Sequence, residues 1–129
     1  MSTPFSWNGV LNLPPDTGQP IQSIEFGGSA QFDGRATAVL KLTGSGTHSV
    51  CFGTVAAGAK GILVEVDADS TGLLSPVNIQ VNGGGAPGQM EVSPGGFWAY
   101  FNPSPVAGIT SMDIVYTSDA TVRVWILGA

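Results

Sequence analysis

The side chains able to do chemistry in this chain are few and scattered. The single histidine, His48, lies between Ser45 and Ser49. A serine nucleophile needs a base within reach and a strained elbow of the GxSxG kind, and the flanking residues do not spell one, so these serines read as turn residues. Asp67-Ala68-Asp69-Ser70-Thr71-Gly72 offers the alternating oxygens and glycine bend that begin a calcium loop, but position twelve, where a bidentate glutamate closes such a site, is Asn78 inside an alternating run. The loop reads as a solvated turn capped by short polar side chains. Gly83, Gly85 and Gly88 have the spacing of a dinucleotide loop. That chemistry requires a following helix whose amides meet a pyrophosphate, whereas Pro87 and the alternation from Gln89 to Val92 announce a strand. Glu25, Glu65 and Glu91 each sit opposite apolar neighbours in separate runs, and a glycosidase would need two of them to converge in a cleft. Cys51, the only cysteine, lies in SVCFG and reads as a small buried hydrophobe. The expectation is a chain with no catalytic residues, no cofactor and no metal set, and therefore not an enzyme.

The elements that would carry these residues are strands. Between Gly88 and Leu127, apolar residues recur at every second position: Met90 and Val92; Phe97, Ala99 and Phe101; Met112, Ile114 and Tyr116; Val122, Val124 and Ile126. That is the period of a pleated strand. Pro94-Gly95-Gly96, Pro103-Ser104-Pro105 and Ser118-Asp119 break the runs with residues suited to turns. Upstream, Phe5 to Leu11 forms a first apolar run that ends at Pro14-Pro15. Ile21 to Phe26 forms a second, ended by Gly27-Gly28, and Gln31 to Gly34 reads as a tight turn before Thr37 to Leu42. His48, Val50 and Phe52, then Ile62, Val64 and Val66, then Val77, Ile79 and Val81 supply further inward faces, and only Ala56 to Ala59 could form a helical turn. About nine or ten short strands at this spacing predict an all-β fold, a single-domain antiparallel β-sandwich of jelly-roll-like type without a long helix. The domain spans residues 1–129, with 1–19 as an extended N-terminal arm.

Charged residues make up 10% of the 129 and the net charge is −5, with Arg35, Lys41, Lys60 and Arg123 dispersed along the chain. No basic cluster exists to neutralise a row of phosphates, so nucleic acid is not an expected partner. No apolar run approaches the roughly 20 residues of a membrane helix, and Met1 to Asn8 lacks the pattern of a secretory leader, so cytosolic production is expected. With 43% hydrophobic residues, much of so weakly charged a surface is expected to meet protein.

The anomaly is Phe97-Trp98-Ala99-Tyr100-Phe101, a strand apolar on both faces. With Phe97, Ala99 and Phe101 filling the core, Trp98 and Tyr100 would point outward, and Trp125 would face the same way as Trp98 if the strands keep register. Three covers for these rings stay open: the chain's own loops or arm, a neighbouring subunit, or a sugar ring. Phe5, Trp7, Trp98, Tyr100 and Trp125 are the interface candidates, since aromatics bring much buried area at little rotamer cost.

The succession THSVCFGTVAAGAKGILVEVDAD, VNIQVN, MEVSPGGFWAYFN and ITSMDIVYTSDATVRVWILGA resembles a group of small virion proteins of tailed bacteriophages, and the likeness runs from Thr47 to Ala129. The resemblance implies a compact β-sandwich serving as a structural part of the particle. Such a part is a capsid cement or decoration protein, or a tail or fibre-attachment component, assembled in the host cytoplasm and resident in the virion. It also implies a symmetric assembly, a homotrimer, whose partners are copies of itself and the major capsid protein or another virion protein. A second expectation is a carbohydrate-binding module, with Trp98, Tyr100 and Trp125 stacking on sugar rings and Asn78, Gln80 and Asn82 supplying hydrogen bonds. The fold alone does not choose between the two.

Overall fold

The structure is a computed structural model that describes residues 2–15, 18, 22–55, 58–69, 74–84, 89–106 and 108–129. Among these residues there is no helix, and every strand pairing is antiparallel. The strands are β1 (Thr3–Leu13), β2 (Gln22–Phe32), β3 (Gly34–Leu42), β4 (Gly46–Ser49), β5 (Ala59–Val66), β6 (Val77–Val81), β7 (Met90–Val92), β8 (Phe97–Phe101), β9 (Met112–Tyr116) and β10 (Ala120–Gly128). β1 and β2 form a two-stranded hairpin, while the rest make two four-stranded sheets ordered β3-β10-β5-β8 and β4-β9-β6-β7. Strands pair as though a long hairpin had been folded over: β3 with β10, β4 with β9, β5 with β8 and β6 with β7. That is jelly-roll connectivity.

The inward residues of both sheets meet in one buried cluster, consistent with a β-sandwich. Ile62, Val64, Val122, Val124 and Ile126 come from the first sheet, and Val77, Ile79, Met112 and Ile114 from the second, all fully or almost fully buried. The alternation legible in the sequence sets these faces, because a pleated strand sends successive side chains to opposite sides. The expected turns at Pro94-Gly95 and Ser118 fall between strands, and Asn82 and Gly83 end β6 with positive φ values of 51° and 73°. The stretch Ala56 to Ala59 lies partly outside the described residues; Ala59 itself opens β5.

Three expectations are corrected. Gly27 and Gly28 do not end β2, which continues to Phe32 in unbroken register with β1. Trp7 lies over its cross-strand partner Gly28, and Phe26 over its partner Gly9, so large rings fill the space that the glycines leave. Within the stretch expected as an extended arm, Thr3–Leu13 is extended as β1 and pairs along its whole length with β2, so that the two strands together make a hairpin arm reaching Phe32; residues 16, 17 and 19 lie outside the described residues. Cys51 is exposed, because Val50 and Phe52 take the core-facing positions on either side of it.

The third correction concerns the doubly apolar strand. β8 pairs with β5 so that Trp98 lies opposite Val64 and Tyr100 opposite Ile62, and paired residues share a face. Since Val64 and Ile62 are completely buried, Trp98 and Tyr100 point inward, stack on each other at 6.5 Å between ring centroids, and pack against the core. Phe97, Ala99 and Phe101 point outward, and Phe97 is 67% exposed. Trp125, opposite Leu63 and Thr37, faces outward as expected, but on the side away from Trp98. The expected outcome of this register is asymmetric: Trp98→Ala should lower the unfolding free energy by about 2–4 kcal/mol in a urea titration, and Phe97→Ala by less than about 1 kcal/mol. The reverse ranking would place β8 in the opposite register.

Candidate docking surface

Outward residues of the first sheet line up in rows across its four strands. One row is Arg35, Leu127, Gly61 and Phe101; the next is Thr37, Trp125, Leu63 and Ala99; the third is Val39, Arg123, Glu65 and Phe97. This surface is largely apolar, with Val39 61% and Trp125 38% exposed. Its charges are mainly basic, because Arg35, Lys41 and Arg123 all stand on it. Arg123 pairs with Asp67 at 3.2 Å, both side chains being nearly half exposed, which makes a weak surface contact. The outward face of the second sheet is different in kind, carrying Thr47, Ser49, Asn78, Gln80, Asp113, Val115 and Glu91. Its two charges are both acidic.

The β1–β2 hairpin is amphipathic in the same manner. One face carries Phe5, Trp7, Gly9, Leu11 and Leu13 from β1 with Ile24, Phe26, Gly28, Ala30 and Phe32 from β2. The other carries Pro4, Ser6, Asn8, Val10 and Asn12 with Ser23, Glu25, Gly27, Ser29 and Gln31. The base of the apolar face rests on the first sheet: Phe5 sits against Gly61, and Trp7 stacks on Phe101 with ring centroids 5.0 Å apart and planes 10° from parallel. A Cβ on Gly61 would lie 3.0 Å from the Phe5 ring and 3.2 Å from that of Phe101, so glycine is what lets the arm approach. Lys60 Nζ donates to the Gln31 carbonyl at 3.1 Å, and Ser2 Oγ donates to Asp33 Oδ1 at 2.9 Å, fixing the arm's root.

Beyond Trp7 the arm's apolar face is uncovered. Leu11 is 52% exposed, Ile24 50% and Phe26 56%. A groove of about 790 Å³ separates this part of the arm from the sheet, with Trp7, Val10, Phe26, Leu63, Phe97 and Phe101 among its lining residues. The five interface candidates thus divide. Phe5 and Trp7 anchor the arm within the chain, Trp98 and Tyr100 belong to the core edge, and Trp125 alone stands outward on the sheet. Sequence reasoning missed Leu11, Ile24, Phe26, Val39 and Phe97. The alternation of β1 and β2 could have found the first three had the glycines not been taken as a break.

The remaining chemical candidates do not converge. Ser49 and His48 point to opposite faces of β4. Glu25, Glu65 and Glu91 stand on the arm, the first sheet and the second sheet respectively. Asp67 is engaged by Arg123, and Asp69 Oδ2 accepts from the Leu74 amide at 2.6 Å; Ser70 to Gly72 lie outside the described residues, as do Gly85 and Gly88. No group of three or more metal-ligating side chains occurs among the described residues. Asn78 and Gln80 lie on the second sheet, away from Trp125 on the first, so a sugar could not engage both sets at once. Asn82 is occupied internally: its Oδ1 accepts from the Thr110 amide at 2.8 Å and the Ser111 amide at 3.3 Å, and its Nδ2 donates to the Gly108 carbonyl at 3.2 Å.

Comparison with protein-family models, curated proteins and solved structures finds no match to this chain. Two substitutions check the site's construction. Gly61→Val should lift Phe5 from the sheet and red-shift the tryptophan emission through exposure of Trp7 while the far-ultraviolet β signal persists; an unchanged spectrum would mean that the arm does not rest there. Asn82→Ala should cost about 1–3 kcal/mol in thermal or urea unfolding, against a change within about 0.5 kcal/mol for Asn78→Ala on the open sheet face.

Proposed function

We propose that this chain is a non-enzymatic structural protein of a tailed-phage virion, a capsid cement or decoration protein that binds and stabilises the shell as a symmetric oligomer. The observation that carries this reading is the amphipathic arm, whose apolar face begins as an intramolecular contact at Phe5 and Trp7 and continues uncovered through Leu11, Ile24 and Phe26. A two-stranded hairpin is marginal in water unless its apolar face is packed. Exposed apolar surface of this extent, beside an equally apolar sheet, marks a surface that meets protein. The division of the body into an apolar, basic face and a polar, acidic face gives it an orientation: one side toward a partner, the other toward solvent. Its partners would be copies of itself and the major capsid protein, or another virion protein if it serves as a tail or fibre-attachment component. It would join the particle in the host cytoplasm.

The resemblance of Thr47 to Ala129 to small phage virion proteins points the same way, and a jelly roll is a scaffold used in viral capsids as well as in lectins. Trp125, beside a shallow groove of about 300 Å³ formed with Thr37, Ala38 and Val39, supports the carbohydrate-binding alternative. That reading loses the hydrogen-bonding set expected for it, because Asn78 and Gln80 stand on the other sheet, and leaves Thr37, Arg35, Arg123 and Glu65 as the polar neighbours of Trp125.

Co-sedimentation with capsid shells lacking the protein tests the proposal. Saturable binding that raises the temperature at which the shells break down is the expected result. Absence of binding to shells, together with glycan binding abolished by Trp125→Ala, would replace it with the carbohydrate reading.

A further inference from the structure

We infer that the uncovered part of the arm docks on the uncovered part of the first sheet of a second copy, so that copies are linked by passing arms. The inference rests on the functional reading only for its symmetric oligomer; the argument for the contact comes from the chain's own surfaces. The first sheet already receives this same arm face within one molecule, ring on glycine at Phe5 and Gly61 and ring on ring at Trp7 and Phe101. The arm is 11 residues long in each strand, or roughly 37 Å at strand rise, yet only its base uses that contact. What remains on the sheet, Val39, Trp125 and Phe97, is of the same chemistry as what remains on the arm, Leu11, Ile24 and Phe26.

The area suits this occupant. Three of those six side chains belong to the arm and three to the sheet, so one arm-on-sheet contact covers roughly 300 Å² on each partner and two such contacts, made reciprocally, cover roughly 600 Å² per copy. Neighbouring backbone and polar rim bring the reciprocal pair to the order of the 800 Å² per partner of a stable interface. Glu25, the only charge on the described part of the arm, stands on the arm's polar face away from the contact. On the sheet, Arg123 and Glu65 are cross-strand partners lying in one row between Val39 and Phe97, so the receiving face carries one charge of each sign there, and Arg123 also holds Asp67. Arm and sheet are different patches, and each copy donates one arm and receives another. With both contacts made between the same two copies, the set closes as a reciprocal two-fold pair.

The test uses the full chain and two variants at exposed positions, where substitution leaves the core intact. Leu11→Asp with Ile24→Asp spoils the donated arm, and Val39→Asp with Trp125→Ser spoils the receiving sheet. In sedimentation velocity across a concentration series, the unaltered protein should assemble, and each double variant alone should raise the concentration needed by roughly 100-fold, the loss expected at interface centres. Mixed together, the two variants should associate at lower concentration than either does alone, and into nothing larger than a one-to-one pair, because one intact arm then meets one intact sheet. Far-ultraviolet circular dichroism and the melting temperature confirm that both variants fold. An oligomer that survives either variant, or a mixture that associates no better than either variant alone, overturns the inference. An unaltered protein that stays monomeric yet binds capsid shells also overturns it and leaves the functional reading standing; arm-linked assembly without shell binding does the opposite.

Discussion

The pairing of β5 with β8 is the constraint on which the rest depends. Val64 and Ile62 lie at the centre of the core, so whichever residues oppose them on β8 must face inward, and those residues are Trp98 and Tyr100. The pairing commits Phe97, Ala99 and Phe101 to the outer face by pleat geometry alone, since a slip of one residue would exchange the two sets. Outside, Phe101 becomes the surface on which Trp7 stacks, and Gly61 beside it leaves room for Phe5. One register therefore packs the edge of the core on one side and builds the seat of the arm on the other.

The arm follows a second constraint. Two strands cannot bury an apolar face between themselves, because side chains on that face all point the same way. The first sheet covers the base, and cross-strand rings over Gly9 and Gly28 give the hairpin some packing of its own. The distal part has neither cover. The polar and acidic second sheet has no such deficit. The molecule is thus two-sided, with the side that lacks cover holding the apolar residues and most of the positive charge.

Much of the core was legible in the sequence, because alternation with one polar face specifies which residues turn inward. Val122, Val124 and Ile126, with Arg123, Trp125 and Leu127 opposite, illustrate this. The pattern failed where both faces were apolar. In Phe97 to Phe101 nothing local distinguishes the two parities, and the partner strand, distant in sequence, decides. It failed again at Gly27-Gly28, where glycines that usually interrupt a strand are tolerated because Trp7 and Phe26 reach across from paired positions. The docking surface was visible only in outline: Trp125 and the aromatic start of the arm were recognisable, whereas Leu11, Ile24 and Phe26 acquire meaning only once the hairpin shows which of them share a face. Cys51 was misread for a related reason, since an apolar neighbourhood does not fix parity.

Hydrogen exchange of the distal arm, Gly9 to Leu13 and Ser23 to Gly27, measured by mass spectrometry over a range of protein concentrations, tests the central claim most directly. Covered arms predict that these amides exchange quickly when the protein is dilute and become protected as copies associate, while the core strands β5 and β10 stay protected throughout. Protection of the distal arm that is the same at every concentration would contradict the account.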